Sequence, residues 1–478
     1  MPSMSATDQG FLLFETAERP MNIGALLVLA PPTGTRGRFA DQVVAQMLRC
    51  RVGAPFSYRV KPGPVQPLLA FEDDPDMDPR KQVRRHALRR GSNLQDLFEK
   101  VCELHAPLLP HDQPLWQAHV FTGLPDGRVA LYFKTHHALI DGMGFLRVLR
   151  GVVSTSARGS KPHSIWEGMR AAPPAEVRGP PTSESASPAL ADKLLGAVTG
   201  LANLFFRQGQ HELGLDRGLL LPFVHVPPAL KAPPSQGRVL AHCRLPLALA
   251  RELARRGDAK INDVMLAVLD GALHRYLHDR GTPSGSPLVV DIPIALQEDG
   301  GTGNRIVGLQ VPMGLPAATP RERLRQIVQE TRGMKQAVRA LSAASLETYS
   351  IASHVAASLI ESLGLGALPM LANLVVSNPA GFEHRVYFNG ADVELALPVS
   401  VVMPHQALNV TVTTYMDELH ITFIAVREVM PDLAKLATYT VDAVDQLRRS
   451  LARGSRAKAG PRAAARTRGR RAATARTR

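Results

Sequence analysis

The chain has 478 residues, of which 45% are hydrophobic and 21% are charged, a composition typical of globular proteins and not of disordered ones. At this length more than one domain is expected. The formal net charge is +14, but residues 453–478 contain ten basic side chains and no acidic one, which leaves 46 basic against 42 acidic residues elsewhere. The body is therefore nearly charge-balanced, and the basic pI does not classify it as a nucleic-acid-binding protein.

Cysteine content and the N-terminus indicate the compartment. Cys50, Cys102 and Cys243 form no C-x-x-C pair and no disulfide framework, as expected in a reducing cytosol. The first ten residues lack the basic region and apolar run of a secretory signal. No stretch of 18 uninterrupted apolar residues predicts a spanning helix. We therefore expect a cytoplasmic protein.

The first 153 residues mix strand-like and helical patterns. Asn93 can cap a helix, and Pro125-Asp126-Gly127 is a hairpin turn between two apolar strands. The predicted elements are a strand at 21–29, helices at 39–48 and 93–104, strands at 116–122 and 128–135, and a helix at 144–153.

The next 84 residues have a different composition. Residues 171–187 are rich in Pro, Ser, Ala and Glu and indicate a linker or an exposed excursion. The mostly apolar segment at 194–206 predicts a packed helix or one that lies in a membrane interface, and packing is the favoured interpretation.

From Arg238 onwards a second mixed region is expected. The predicted helices are at 247–256, 263–277, 319–341, 344–363 and 431–451, and the predicted strands are at 288–294, 306–313, 374–377, 386–388, 408–415 and 419–426. Because strands and helices do not alternate regularly, the favoured class is α+β with two sheet-containing halves.

The most specific feature is His136-His137-Ala138-Leu139-Ile140-Asp141-Gly142. The histidines are predicted at the end of a strand, where a side chain can be held rigidly and still face a cleft. Histidine titrates near neutral pH and suits general-base catalysis. Asp141 can brace the loop or orient an imidazole, and Gly142 permits a tight backbone.

Two other interpretations of this motif remain open. Histidines at a strand end followed by an Asp-Gly turn can be purely structural. Zinc binding by His136, His137 and Asp141 is disfavoured, because adjacent side chains on a strand point to opposite faces.

These residues resemble a known family. The segment matches the H-H-x-x-x-D-G motif of CoA-dependent acyltransferases and condensation domains. More narrowly, residues 5 to about 450 are similar to the bacterial bifunctional wax ester synthase/diacylglycerol acyltransferase family, most weakly at 154–237. Further matches follow in chain order: Asp8-Gln9-x-Phe11-x3-Glu15-x4-Pro20-Met21-x-Ile23-Gly24, Pro114-Leu115-Trp116, Asn262-Asp263, Gly303-Asn304-Arg305, the segment 376–381, and Gln406-x-Leu408-Asn409-Val410-Thr411.

Most of these matches also have a plain structural interpretation. Trp116 is expected to start a strand and pack in the core, and Asn262 or Asp263 can cap a helix as well as organise a site. Asn304 and Arg305 can be a turn with a surface arginine, or Arg305 can pair with Asp141. The segment 376–381 departs from the family pattern S-N-V-P-G-P, because no Val precedes Pro379 and Phe382 stands where Pro is usual.

The resemblance implies two chloramphenicol-acetyltransferase-like domains, each a mixed sheet packed with helices, with the active site at their interface. The expected division is an N-terminal acyltransferase domain at 1–153, a linker with an apolar helix at 154–237, a C-terminal acyltransferase domain at 238–452 and a basic disordered tail at 453–478. Residues 194–206 and 219–226 are candidates for contact with a substrate channel or a lipid surface.

The resemblance also implies an O-acyltransferase that moves a long-chain acyl group from acyl-CoA to diacylglycerol or a long-chain alcohol. His137 would be the general base, His136 and Asp141 would support it, and no covalent acyl-enzyme would form, since no nucleophile elbow G-x-S-x-G is present. We expect no cofactor beyond acyl-CoA as co-substrate, no metal, and peripheral association with a membrane or lipid droplet.

Two alternatives compete with this interpretation. One is a condensation-type acyltransferase that uses a carrier-protein thioester. The other is a non-catalytic protein whose Arg-rich tail contacts nucleic acid or anionic lipid. No aromatic residue interleaves the tail arginines, so base stacking is not indicated, and nucleic acid is not the expected partner.

Overall fold

A computed structural model describes residues 4–62, 69–169, 220–296 and 305–459, apart from positions 5, 36, 162, 221, 225 and 366. The predictions for residues 171–187, 194–206, Asn304 and residues 460–478 of the tail lie outside the described residues. The expectation that disorder begins at residue 453 is wrong, because the helix Leu433–Ala459 includes the first seven residues of the tail. Residues 219–226 are described only in part. Within the described ranges, no helix is both long and apolar enough to cross a membrane.

The first half of the described chain contains four helices and seven strands, with short 3-10 turns at Pro79–Lys81, Pro125–Gly127 and Ile165–Met169. They are α1 (Ala6–Leu13), β1 (Asn22–Ala30), α2 (Phe39–Arg49), β2 (Tyr58–Pro62), β3 (Leu69–Asp73), β4 (Val83–Ala87), α3 (Leu94–His105), β5 (Trp116–Thr122), β6 (Val129–His136), α4 (Gly142–Val152) and β7 (Val153–Ser154).

The second half of the described chain contains five helices and eight strands. They are β8 (Arg238–Pro246), α5 (Leu247–Gly257), α6 (Ile261–Asp279), β9 (Val289–Leu296), β10 (Arg305–Pro312), α7 (Pro320–Arg339), α8 (Ala343–Ser362), β11 (Leu374–Ser377), β12 (Tyr387–Phe388), β13 (Ala391–Val399), β14 (Leu408–Tyr415), β15 (Glu418–Val426) and α9 (Leu433–Ala459).

These strands form two large sheets, so the predicted α+β class with two sheet-containing halves is confirmed. The first sheet has the order β4-β5-β6-β1-β13-β12-β7, and the second has the order β10-β9-β11-β14-β15-β8. Strands β2 and β3 form a separate hairpin. Local signals account for several boundaries. The side chain of Asn93, for example, accepts hydrogen bonds from the backbone N–H groups of Gln95 and Asp96 and caps α3, as predicted.

The first sheet includes two strands from the second half of the chain, and the sequence did not predict this arrangement. Strands β12 and β13 come from the second half of the chain but belong to the first sheet, where β13 pairs antiparallel with β1. A division at contiguous residue ranges therefore cannot represent the sheets. Strand β1 lies between β6 and β13, so both of its edges are paired. The side chains on both faces are buried except at its last residue, which agrees with its almost uninterrupted apolar sequence.

A buried ion pair fastens the second half of the chain to the segment before β1. Arg19 is 1% exposed and donates through Nε and Nη2 to the carboxylate of Glu361 on α8, and through Nη1 to the Met403 carbonyl at 2.9 Å. The same carboxylate accepts from the backbone N–H of His405. The start of β1 is thus held close to the connection between β13 and β14.

Gly24 in β1 provides a test of the central pairing. A Cβ at this position would lie 2.6 Å from the Phe133 carbonyl oxygen and 2.7 Å from the Tyr132 ring. We expect Gly24→Ala to destabilise the protein by roughly 1–3 kcal/mol, the usual cost of overpacking, seen as a lower thermal unfolding midpoint. Gly285→Ala is the matched control, since its added methyl would meet open space. Equal midpoints for the two variants would contradict the close approach.

Candidate active site

Two backbone hydrogen bonds hold the histidine pair at the end of β6. The His136 N–H donates to the Leu115 carbonyl at 3.0 Å, and the His137 N–H donates to the Met21 carbonyl at 2.8 Å. The first bond ties the strand end to the segment before β5, and the second ties it to the residue before β1. The position of His137 is therefore set by both neighbouring strands.

The His137 ring lies against Phe11, with ring centroids 4.1 Å apart and an interplanar angle of 27°. Phe11 also packs with Met21, Ile23, Val401 and Met403, and the last two of these belong to the connection between the sheets. The ring thus lies at the junction that was expected to contain the site.

Burial determines the protonation state of His137. Loss of solvation lowers its pKa to about 4, although the Asp141 carboxylate opposes this shift. Nδ1 is buried and has no hydrogen-bond partner among the described residues. At neutral pH the imidazole is uncharged and can accept a proton.

His136 faces the other way, into a polar cluster around Glu15. Its Nδ1 accepts a hydrogen bond from the Ala138 N–H at 3.0 Å, so the proton of the neutral ring is on Nε2, 3.3 Å from Glu15 Oε1. Glu15 also accepts from the Met21 N–H at 2.7 Å and lies 3.2 Å from His111 Nε2. Burial alone would raise the pKa of Glu15, but these donors lower it to about 2.

Glu15, His111 and His136 are also close enough to be considered as a metal site, with ligand atoms within 4.8 Å of one another. A metal ligand must present a lone pair, and Nε2 of His136 carries the proton because Nδ1 is already an acceptor. The donor set therefore does not fit a cation. The alternative zinc set fails too, since the rings of His136 and His137 contact different groups, Glu15 and Phe11.

Asp141 is the N-cap of α4. Its Oδ1 accepts from the Gly144 N–H at 2.6 Å, and its carbonyl accepts from the Phe145 N–H. The tight position is Gly144, where a Cβ would lie 2.8 Å from Ile140, whereas a Cβ on Gly142 would meet open space. The expectation that Gly142 is needed for a tight backbone is therefore wrong.

Trp116 lies in the core and not in the cleft. It is fully buried, donates from Nε1 to the Phe56 carbonyl at 2.6 Å, and packs against Phe133 and Trp166. The preceding residue, Leu115, is the one whose carbonyl supports His136. The segment Pro114-Leu115-Trp116 thus acts on the histidine pair through its backbone.

The structure brings three of the sequence segments together. Arg150 on α4 donates to the carbonyl oxygens of Ala380 and Gly381, at 3.3 and 3.0 Å. From the same loop, Asn378 Nδ2 donates to Asn262 Oδ1 at 2.6 Å. The segment 376–381 therefore contacts both the helix that Asp141 caps and the start of α6.

The roles of Asn262 and Asp263 differ. Asn262 is exposed and bonded across to Asn378, so it joins the two segments. Asp263 is 3% exposed, accepts from the Lys260 N–H at 2.8 Å and accepts from the Thr331 hydroxyl of α7 at 2.8 Å. Asp263 thus stabilises the start of α6 and its packing. Arg305 begins β10, but its side chain, like Asn304, lies outside what the structure describes, so its pairing with Asp141 stays a prediction.

Four residues at this site, Phe11, Glu15, Met21 and His111, were not predicted from the sequence. Three of them were quoted as part of the opening segment, which was the available signal. His111 carried none, because it is a half-exposed histidine on the connection between α3 and β5. Their roles depend on which side chains the sheet brings together, and spacing along the chain does not reveal that.

The structure thus places a histidine at the junction of two mixed sheets, beside a helix capped by Asp141. A wax ester synthase/diacylglycerol acyltransferase catalytic domain matches residues 4–265, and a WS/DGAT C-terminal domain matches residues 302–448. The chain therefore belongs to the wax ester synthase/diacylglycerol acyltransferase family, and it is an acyl-CoA-dependent acyltransferase. The expected family and enzyme class are confirmed.

Individual relatives agree with this family. A Mycobacterium tuberculosis protein named as a diacylglycerol O-acyltransferase is 31% identical over 460 residues, which cover 94% of this chain and 100% of that protein. A Mycobacterium bovis protein with the same kind of name is 31% identical over 453 residues, covering 91% of this chain and 88% of that protein.

Solved structures show the same fold. The wax ester synthase/diacylglycerol acyltransferase from Marinobacter aquaeolei VT8 has a TM-score of 0.72 at 23% identity and covers 95% of this chain and 100% of its own. The starter condensation domain of rhizomide synthetase, in complex with C8-CoA, has a TM-score of 0.55 at 14% identity and covers 94% of both chains. The expected two-sheet acetyltransferase-like architecture is confirmed.

The capping hydrogen bond of Asp141 can be tested independently of the charge of its carboxylate. We expect Asp141→Ala to destabilise the protein by about 1 kcal/mol, because the first turn of α4 loses its side-chain acceptor. Asp141→Asn keeps an acceptor oxygen without the charge and should restore most of that stability. The measurement is chemical denaturation monitored by circular dichroism. An Asn variant as unstable as the Ala variant would contradict the capping role.

Proposed function

We propose that this enzyme transfers a long-chain acyl group from acyl-CoA to the hydroxyl of diacylglycerol or of a long-chain alcohol, which gives triacylglycerol or a wax ester. The observation that carries the proposal is the partly buried, uncharged His137 at the sheet junction. The names of the mycobacterial relatives support diacylglycerol as one acceptor. The condensation-type alternative is weaker, because both family descriptions that match the chain are those of the wax ester synthase family.

In the proposed reaction His137 is the general base. The ring nitrogen of its neutral imidazole that carries the lone pair accepts the proton of the acceptor hydroxyl. The hydroxyl oxygen attacks the thioester carbon, and a tetrahedral intermediate forms. Collapse of the intermediate breaks the carbon–sulfur bond, and the imidazolium returns its proton to the CoA thiolate. The products are the ester and free CoA.

Asp141 supports this step electrostatically. Its carboxylate raises the pKa of His137 against the effect of burial, so it stabilises the imidazolium that forms during attack. Among the described residues, the groups seen against His137 are the Phe11 ring and the Met21 carbonyl, and neither is a nucleophile. We therefore propose direct transfer in a ternary complex, without an acyl-enzyme.

We also propose that the enzyme works at a lipid surface, since both products are insoluble lipids. Four leucines at the end of α8 and in the following loop are exposed, namely Leu359, Leu363, Leu365 and Leu368, and Leu363 reaches 68%. Residues 355–370 contain one charged side chain, Glu361, which is turned inwards to Arg19. This leucine patch is thus an uncharged apolar surface on a helix that is fastened to the segment before β1, and an apolar lipid phase fits it.

Replacement of the base tests the reaction directly. Thiol release from palmitoyl-CoA is measured with a panel of diacylglycerol, hexadecanol and short alcohols. We expect His137→Ala to reduce turnover by about 10²–10⁴-fold, the usual contribution of a general base, without a change in fold. His384→Ala, at an exposed histidine, is the control. A His137→Ala variant that retains more than a few per cent of activity would rule out the base assignment.

The leucine patch is tested by co-sedimentation with phosphatidylcholine vesicles that contain diacylglycerol. We expect the triple variant Leu363→Ser, Leu365→Ser, Leu368→Ser to reduce the bound fraction several-fold, because it removes apolar surface from the contact. Zwitterionic vesicles in 0.5 M salt suppress any contribution of the basic tail. The control replaces Leu94, Leu108 and Leu315, which are exposed elsewhere. Equal binding of both triple variants would exclude the patch.

A further inference from the structure

We propose that Glu15 is a positioning residue for the acyl transfer: it holds the backbone of His137 in place through Met21. The path has two bonds. Glu15 Oε1 accepts from the Met21 N–H at 2.7 Å, and the Met21 carbonyl accepts from the His137 N–H at 2.8 Å. One residue thus links the carboxylate to the base, and the inference rests on the proposed role of His137.

Glu15 also contacts the other member of the histidine pair. His136 Nε2 lies 3.3 Å from Oε1, and His111 Nε2 lies 3.2 Å from Oε2. His136 is fully buried, and its Nδ1 is already occupied by the Ala138 N–H, so the Glu15 carboxylate is the group that its Nε2 proton faces. The carboxylate therefore supports the strand end through its hydrogen bond with Met21, and it also lies beside His136 at 3.3 Å, a contact that does not form a hydrogen bond.

The environment explains why an acid occupies this position. The Glu15 side chain is 2% exposed, and a carboxylate offers about four lone-pair sites to the surrounding donors. A neutral aliphatic side chain would leave the buried Met21 N–H without an acceptor, so the loop would have to rearrange to reach water. The charge is compatible with burial because the donors around it compensate.

Glu15 is a positioning residue and not a catalytic residue, since its described contacts do not include the His137 ring. The ring is confined by Phe11, a residue of the helix α1 that directly precedes Glu15. General-base catalysis is sensitive to misplacement, and a shift of about 1 Å can cost 10²-fold in rate. Loss of the Glu15 link should therefore affect turnover more than substrate binding.

Two substitutions separate the hydrogen bonds from the charge. Glu15→Ala removes every acceptor. Glu15→Gln keeps an amide oxygen for the Met21 N–H, and its amide nitrogen can donate to His111, whose half-exposed ring can change tautomer. Glu167→Ala is the matched control. Glu167 is a partly buried carboxylate in the same half, it accepts the Ser164 N–H at 2.7 Å, and it lies outside this path.

The experiment measures kcat, KM for palmitoyl-CoA and the thermal unfolding midpoint of the full chain. We expect Glu15→Ala to lower kcat by 10–100-fold with KM changed less than threefold, Glu15→Gln to retain at least a third of wild-type kcat, and Glu167→Ala to lower the midpoint without lowering kcat. Equal kcat in Glu15→Ala and the wild type would overturn the proposal. So would a loss in Glu15→Ala that appears only in KM, or that Glu15→Gln shares in full.

Hydrogen exchange followed by mass spectrometry gives a readout that does not require turnover. We expect the peptide containing residues 134–141 to exchange at least tenfold faster in Glu15→Ala than in the wild type or in Glu167→Ala, because the His137 N–H loses its fixed acceptor. Unchanged exchange would overturn the positioning role even if activity fell. If the wild type released no thiol with any acceptor, the proposed reaction would fail, whereas the exchange result would still decide the role of Glu15.

Discussion

The pairing of β13 with β1 is the constraint on which the rest of the structure depends. It inserts a strand from the second half of the chain beside the central strand of the first sheet, so the first sheet cannot be completed by its own half of the sequence. After β13 the chain reaches β14 of the second sheet within eight residues, and Arg19 and Glu361 clamp that connection. The two sheets are thus joined both by a continuous stretch of chain and by hydrogen bonds. A site at their junction therefore does not depend on the docking of two separate domains.

This constraint explains why the histidine at the junction is neutral. Phe11, Met21, Val401 and Met403 pack together at the start of β1, and desolvation lowers the pKa of His137 to about 4. A base in such a place must not also be bound tightly by another side chain, because its ring has to meet the substrate. The surrounding polar groups therefore act on its backbone or at a distance. The Met21 carbonyl binds the His137 N–H, and the Leu115 carbonyl binds the N–H of the neighbouring His136. Asp141 acts through the charge of its carboxylate.

How far along the chain the partners of a feature lie decides whether the sequence alone could predict it. The histidine motif, the Asn93 cap, the hairpin at β5 and β6 and the long helices α7 and α8 each depend on neighbours within a few residues, so local patterns predicted them. Strand β13, the Glu15 cluster and the close approach of Asn378 to Asn262 depend on partners more than a hundred residues away or on which face of the sheet a side chain occupies. Trp116 and Gly142 belong to motifs that the sequence did reveal, but Trp116 packs in the core and Gly142 lies where a larger residue would also fit.

The segment 376–381 shows why a departure from a family pattern can leave the architecture intact. Arg150 reaches this segment through the carbonyl oxygens of Ala380 and Gly381, which every residue possesses, so the side chain at 380 is not part of that contact. Gly381 is different, because a Cβ there would overlap the carbonyl oxygen of Thr414. Phe382 then donates its N–H to the same oxygen and sets its ring edge-on against Tyr415. The steric requirement at this loop therefore falls on one glycine, and the Phe in place of the usual Pro supplies a backbone donor that a proline would lack.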